Sequence, residues 1–173
     1  MTIDQFIQEA KRIQSQPSVY AYGFTGQTLT GKNIKSKAKQ YPSWYSQDRI
    51  NRLYKSIGIN GYDCSGLIKA IFKNMNETIP DLNADMIFKM YCEPAAEPKK
   101  GMLIHKSGHI GILIDSDYVI EASSSKGSVI ISKRSEKLWT EFGTFKLLNQ
   151  ESNGSNNENL LEDLKALIKK YGG

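Results

Sequence analysis

Cysteine and histidine are both scarce, with two of each in 173 residues. Two cysteines are too few for the disulfide framework of a small secreted scaffold, although a single bridge stays open. Neither belongs to a Cys-x-x-Cys pair, and the spacings 64…92 and 105…109 do not suit a zinc site of two Cys and two His. His105 and His109 stand four apart, but no Glu follows His105, so His-Glu-x-x-His is missing as well. No metal or other cofactor is expected. Long apolar runs are lacking too, so no helix able to cross a membrane is expected. The first ten residues carry Asp4 and Glu9 where a secretory signal needs an unbroken apolar core. The expectation is synthesis in the cytoplasm without a signal peptide, with action outside dependent on another route of release. Blocks of one charge are also absent. Lys and Arg number 23 against 18 Asp and Glu, spread along the chain, for a net charge of +5. A basic balance can meet nucleic acid, an anionic membrane or an acidic polymer such as a bacterial wall. With no basic cluster and no nucleic-acid module motif, neither nucleic acid nor membrane is expected as a partner.

What is present suits one globular domain with a real core: 39% hydrophobic and 24% charged residues. Ile3, Phe6, Ile7, Ala10 and Ile13 fall on one face of a helix over 3–14, with Thr2 as its N-cap. Residues 17–45 hold Pro17, Gly23, Gly26, Gly31 and Pro42 and read mostly as loop. Ser46 caps a second helix striped by Ile50, Leu53, Tyr54 and Ile57, and Gly58 and Gly61 end it. A third helix begins near Cys64, with Leu67, Ile68, Ile71 and Phe72 on its apolar face. A fourth covers 83–91. The period then changes. Short aliphatic runs at 102–104, 109–114, 118–122, 129–131 and 144–148, parted by turn residues, predict a five-stranded antiparallel meander. Helices first and strands after predict an α+β fold, with N-terminal helices packed on a five-stranded sheet. The globular domain is taken as 1–149. Residues 150–159 read as a polar linker and 160–173 as an amphipathic helix for docking or self-association.

Three residues combine into a chemistry. Cys64, in Gly61-Tyr-Asp-Cys-Ser-Gly66, sits at the first turn of a helix, with Asp63 as the cap. The positive helix end favours thiolate, and its free amides can receive an oxyanion. A small cysteine packed in the core is the plain alternative. His109 opens the most regular strand beside Gly108 and Gly111; its alternative is an ordinary strand-end histidine. Glu121 is a lone carboxylate in an apolar strand, which asks for a partner. A three-residue loop at 115–117 sets Ile114 opposite Tyr118 and Gly111 opposite Glu121. His109 and Glu121 then share a sheet face as diagonal neighbours, roughly 7–8 Å apart at Cα. A two-residue loop would put them on opposite faces. Thiol, imidazole and carboxylate together make a nucleophile, its base and an orienting group. Cys92 reads as structural.

The run Tyr62-Asp-Cys-Ser-Gly-Leu67 resembles the Asp-Cys-Ser-Gly signature of the NlpC/P60 cell-wall peptidases. Lys100-Gly-Met-Leu103 is similar to the family's Pro-Gly-Asp-Leu segment, with Met102 in place of Asp. His109-Ile-Gly-Ile112 resembles the His-Val-Gly-Ile strand, Tyr118–Ser123 the strand after it, and Tyr20-Ala-Tyr-Gly23 the Tyr-x-x-Gly stretch before the nucleophile. The resemblance covers residues 20–131 in family order. It implies a papain-like α+β fold and hydrolysis of bacterial peptidoglycan stem peptides, at the bond between D-glutamate and the diamino acid. Cys64 and His109 carry over as catalytic residues. Tyr20 would cover the substrate, and Asp63 and Ser65 would line its donor side. Glu121 stands where the family commonly has His. Some forty residues between Gly23 and Cys64, where compact members have far fewer, resemble the longer insertions of phage-type lysins, which suggests release during phage lysis. An N-acetylmuramoyl-L-alanine amidase with the same nucleophile, and a catalytically silent wall-binding domain, are the competing readings.

Overall fold

Helix α1 (Ile3–Gln14) opens the chain because Thr2 and Gln5 form a reciprocal capping box and Phe6, Ile7, Ala10 and Ile13 give it one buried stripe. It begins a computed structural model that describes residues 1–148. The linker and helix expected at 150–159 and 160–173, and self-association through that helix, lie outside the described residues.

Two short strands follow, β1 (Ser18–Tyr20) and β2 (Thr25–Thr28). Then come α2 (Gly31–Gln40), α3 (Gln47–Tyr54) and β3 (Asn60–Tyr62). Helices α4 (Cys64–Asn74) and α5 (Ala84–Tyr91) lead into β4 (Cys92–Pro94). The second half holds β5 (Leu103–Lys106), β6 (His109–Leu113), β7 (Tyr118–Ser123), β8 (Ser128–Lys133) and β9 (Glu141–Phe145). The fold is α+β, as the order of helical and strand periods predicts.

The sheets differ from the five-stranded meander in three ways. The main sheet has six strands in the order β4-β9-β5-β6-β7-β8. Strands β5 to β8 do form a meander, but β9 returns to pair with β5 rather than continuing beyond β8. The sixth strand, β4, is three residues that continue directly from α5, too short to show a period. A separate three-stranded sheet, β1-β3-β2, stands in the region read as loop. Helix α2 lies there too. Its only buried residue is Ile34, so its lysine-rich sequence shows no apolar stripe.

Helices α1, α4 and α5 pack on one face of the main sheet. Phe6, Phe72 and Phe145 meet there, with the Phe72 and Phe145 rings 4.7 Å apart. Ile110, Ile112 and Ile120 join this core. The opposite face carries a smaller cluster, Met102, Ile104, Leu113 and Val119, covered by Trp139 and Phe142. A third cluster (Ala21, Phe24, Leu29, Ile34, Tyr45 and Leu53) belongs to the long segment between β1 and α4.

The start of α4 is clamped to that segment. The Asp63 amide donates to the Phe24 carbonyl at 3.0 Å, and the Ala21 amide to the Tyr62 carbonyl at 3.0 Å. The approach is close enough that a β-carbon on Gly66 would lie 2.0 Å from the Phe24 carbonyl oxygen. Backbone cannot yield as a flexible side chain can. Gly66→Ala is therefore expected to destabilise the protein by about 2 kcal/mol or more, measured by urea unfolding. Unfolding at the wild-type midpoint would show that the contact is loose.

Candidate active site

Cys64 is the first residue of α4, and Asp63 is its N-cap. One Asp63 carboxylate takes three donors: the Gly66 amide at 2.6 Å, the Ser65 hydroxyl at 3.0 Å and the Gly23 amide at 2.7 Å. Asp63 and Ser65 are both buried. The structure gives both a role in building the cap; from the residues alone, capping points only to Asp63. The Gly66 and Leu67 amides are held by Asp63, while the Cys64 and Ser65 amides face the thiol. Those two are the donors available to an oxyanion formed at the sulfur.

The Cys64 Sγ rests against the β5–β6 turn, 3.8 Å from the Gly108 carbonyl oxygen, with the Ile110 amide also directed at it. The thiol thus sits against the residues on either side of His109. Strand β6 alternates, sending Ile110 and Ile112 into the helix-side core and leaving His109 with Gly111 and Leu113 on the other face. Strand β7 pairs Ile112 with Ile120 and Leu113 with Val119, and the Ile114 amide donates to Tyr118. This is the register of a three-residue loop, so Glu121 shares the face of His109. His109 Nε2 lies 2.5 Å from Glu121 Oε2.

Glu121 is fully buried, and Ser132 and Lys137 also donate to its carboxylate, Ser132 at 2.6 Å. Burial is the largest single influence on its ionisation and opposes it. The hydrogen bonds from His109, Lys137 and Ser132, with the Lys137 charge, outweigh burial and hold the carboxyl down at about 2. An ionised carboxylate only accepts, so His109 Nε2 carries the proton and Nδ1 is the ring's basic nitrogen. The imidazole also stacks on Trp139, with centroids 5.3 Å apart, and the Lys137 ammonium lies over the same indole.

Cys64 itself is 8% exposed. Burial pushes its thiol up to about 11, the Asp63 charge acts the same way, and the amides of Ile110, Ser65 and Cys64 pull against them. A helix end that lowers the thiol is thus the weaker influence in the resting protein. Tyr20 stands beside this group: burial pushes its phenol well above the usual range, followed by the charges of Cys64 and Asp63.

Sequence reasoning missed the second histidine's role. His105 Nδ1 lies 2.9 Å from Glu141 and Nε2 2.8 Å from Asp85, and its ring stacks on Phe88. Asp85 also accepts the Gly108 amide at 2.7 Å. This bracket ties α5 and β9 to the turn that touches Cys64. Lys137, Ser132 and Trp139 were missed as well, because nothing local marks them as partners of β7. Cys92 is a free, buried thiol, and burial pushes it up to about 12. Among the described residues no three His, Cys, Asp or Glu side chains gather to hold a metal ion.

The NlpC/P60 family model matches residues 22–146, and the chain belongs to that family. Over 88 residues it is 32% identical to RipB of Mycobacterium tuberculosis, named a peptidoglycan endopeptidase, covering 49% of this chain and 36% of RipB. The chain thus spans about a third of the length of that curated relative. The solved RipB structure superposes with a TM-score of 0.56 at 24% identity, over 85% of this chain and 65% of that one. The P60 domain of a Mycobacterium avium subspecies paratuberculosis antigen gives 0.53 at 25%, over 85% of this chain and 96% of that one. RipD of Mycobacterium tuberculosis, described as a non-catalytic domain adapted to peptidoglycan binding, gives 0.54 at 17%, over 84% and 97%.

Two outcomes follow. The Glu121 carboxyl is ordinarily near 4.5 and is held at about 2 in the folded protein. Its contribution to stability is therefore complete above about pH 4.5 and is lost as pH falls toward 2, by about 3 kcal/mol. In urea-unfolding series against pH, Glu121→Gln should flatten that fall; an unchanged slope would remove Glu121 from the balance. Second, iodoacetamide labelling of Cys64, read by peptide mass spectrometry to separate it from Cys92, should still be accelerating above pH 9. A midpoint below the free-cysteine value of about 8.5 would instead mean a thiolate stabilised at rest.

Proposed function

We propose that the protein is a peptidoglycan hydrolase that cuts stem peptides, at the bond between D-glutamate and the diamino acid, with Cys64 as nucleophile. The observation that carries this reading is the hydrogen bond from His109 Nε2 to the buried, ionised Glu121, which leaves Nδ1 as base on the turn that touches the thiol. RipB, a family member named a peptidoglycan endopeptidase, supports the substrate class.

In the first half-reaction His109 Nδ1 takes the Cys64 proton as Sγ attacks the scissile carbonyl carbon. The carbonyl oxygen becomes an oxyanion and meets the Cys64 and Ser65 amides. The intermediate collapses, the C–N bond breaks, and the imidazolium returns the proton to the departing amine. A thioester remains on Cys64. Water then attacks it, with His109 again taking a proton, and the restored thiol leaves a free carboxylate product. Glu121 stays ionised throughout and stabilises the imidazolium. Asp63 and Ser65 keep the nucleophile in place, and Tyr20 closes the groove beside it.

RipD shares the fold and is described as non-catalytic, so the fold alone does not decide activity. The His109–Glu121 hydrogen bond, held beside the turn on which Cys64 rests, favours catalysis here. Purified peptidoglycans digested with wild type and with Cys64→Ala, with products read by mass spectrometry, test it. New D-glutamyl carboxyl and diamino-acid amino termini are expected with wild type only. Free lactyl ends on muramic acid would make the protein an amidase, and no products from any wall would leave a binding domain.

A further inference from the structure

A cavity of about 490 Å³ opens beside Tyr20, between strand β1, helix α3 and the β7–β8 turn. It is large enough for one or two amino-acid residues of a ligand. Its lining includes four cations, Arg49, Arg52, Lys55 and Lys126, and no Asp or Glu. Four other cations among the described residues pair with carboxylates: Arg12 with Glu9, Lys69 with Asp81, Lys100 with Asp4 and Lys137 with Glu121. The cavity's cations take part in none of these pairs.

Two of its walls are already organised. Tyr22 and Trp44 stack with centroids 4.3 Å apart, and Tyr45 donates its hydroxyl to the Tyr22 carbonyl at 2.5 Å. Arg49 donates to the Trp44 carbonyl at 2.7 Å and lies over the indole, so its guanidinium is held at the rim. Tyr20 forms the third side, its amide bonded to the Gly127 carbonyl at 2.7 Å. Tyr20 also packs against the core cluster that contains Cys64, so this wall of the cavity borders the cysteine site.

We propose that this cavity is an anion subsite, in which Arg49 and Arg52 hold a carboxylate of the substrate peptide next to the bond presented to Cys64. It rests on the peptidoglycan reading above. A half-open, aromatic-walled recess fits one small charged group better than a polymer laid across a flat surface. A γ-linked D-glutamyl residue keeps its α-carboxylate, and a diamino acid that has two carboxyls or ends the peptide keeps one as well, so the chemistry is available beside that bond. Guanidinium is the cation best matched to a carboxylate, since its fork donates two parallel bonds.

The test uses binding, so it does not depend on turnover. Cys64→Ser protein is titrated by calorimetry with a stem tripeptide bearing both free carboxylates, and with versions amidated at the D-glutamyl or at the diamino-acid carboxyl. One amidation should weaken binding about tenfold. Arg52→Gln and Arg49→Gln, each confirmed folded by thermal melting, should erase that difference. Arg52→Gln is the cleaner of the two, because Arg49 also holds Trp44. Equal affinity for all three peptides, no binding of any, or a difference that survives both substitutions would overturn the proposal. So would an arginine effect seen only on walls that retain phosphate-bearing polymers, which would assign the cavity to those polymers. Discrimination in binding by a protein that cuts no wall would sink the hydrolase reading and leave the subsite standing. Cleavage of walls with indifference to amidation would do the reverse.

Discussion

The Asp63 carboxylate is the constraint on which the site depends. It accepts from the amide that begins α4's hydrogen-bonding, from the Ser65 hydroxyl, and from Gly23 forty residues away. A single buried group thereby fixes the helix start, the Cys64 backbone and the segment that carries Tyr20 and Tyr22. A charged acceptor with three donors is well stabilised, whereas the same carboxylate with one donor removed would be a buried liability. The geometry is therefore cooperative: Cys64 has its position because the long segment between Gly23 and α4 folds back onto the helix end.

Glu121 solves a matching problem on the sheet. A fully buried carboxylate is costly unless its partners outweigh the loss of water. Ser132, Lys137 and His109 do so from three different parts of the chain. Chemistry follows from this balance. Because the carboxylate stays ionised, the imidazole can present only Nδ1 as a base, and a cation formed on the ring during proton transfer has its counter-charge already in place.

Much of this was legible in the sequence, and the reasons are physical. Helices α1, α3, α4 and α5 carry apolar stripes of the right period and side-chain caps at Thr2, Ser46, Asp63 and Asn83. The His109–Glu121 pairing could be read because strand alternation and loop length together determine face. Three features resisted. Strands β1, β3 and β4 are three residues each, too short for a period. Helix α2 buries only Ile34, so its lysines look like loop. The partners of Glu121 other than His109, and the bracket of Asp85 and Glu141 around His105, join residues from different elements, and no local signal marks such meetings. The buried state of the Cys64 thiol belongs to the same class: a helix N-terminus is visible in the sequence, but the loss of water around it is not.

That last point shapes how the site must work. A thiol raised by burial and by the nearby Asp63 charge rests protonated, so in the proposed reaction the imidazole would act when the carbonyl arrives rather than before. Of the amides that favour the anion, those of Cys64 and Ser65 are also the ones that would meet charge as it develops in the proposed reaction. Their stabilisation is thus realised mainly along the reaction and little in the resting state, the condition under which electrostatic interactions raise the rate rather than merely tighten binding. A neutral resting thiol is also a poor target for oxidants, since thiolate character governs oxidation. In the proposed reaction burial of Cys64 would serve protection and catalysis together, with the Asp63 cap and the His109–Glu121 pair supplying from either side what the buried sulfur lacks.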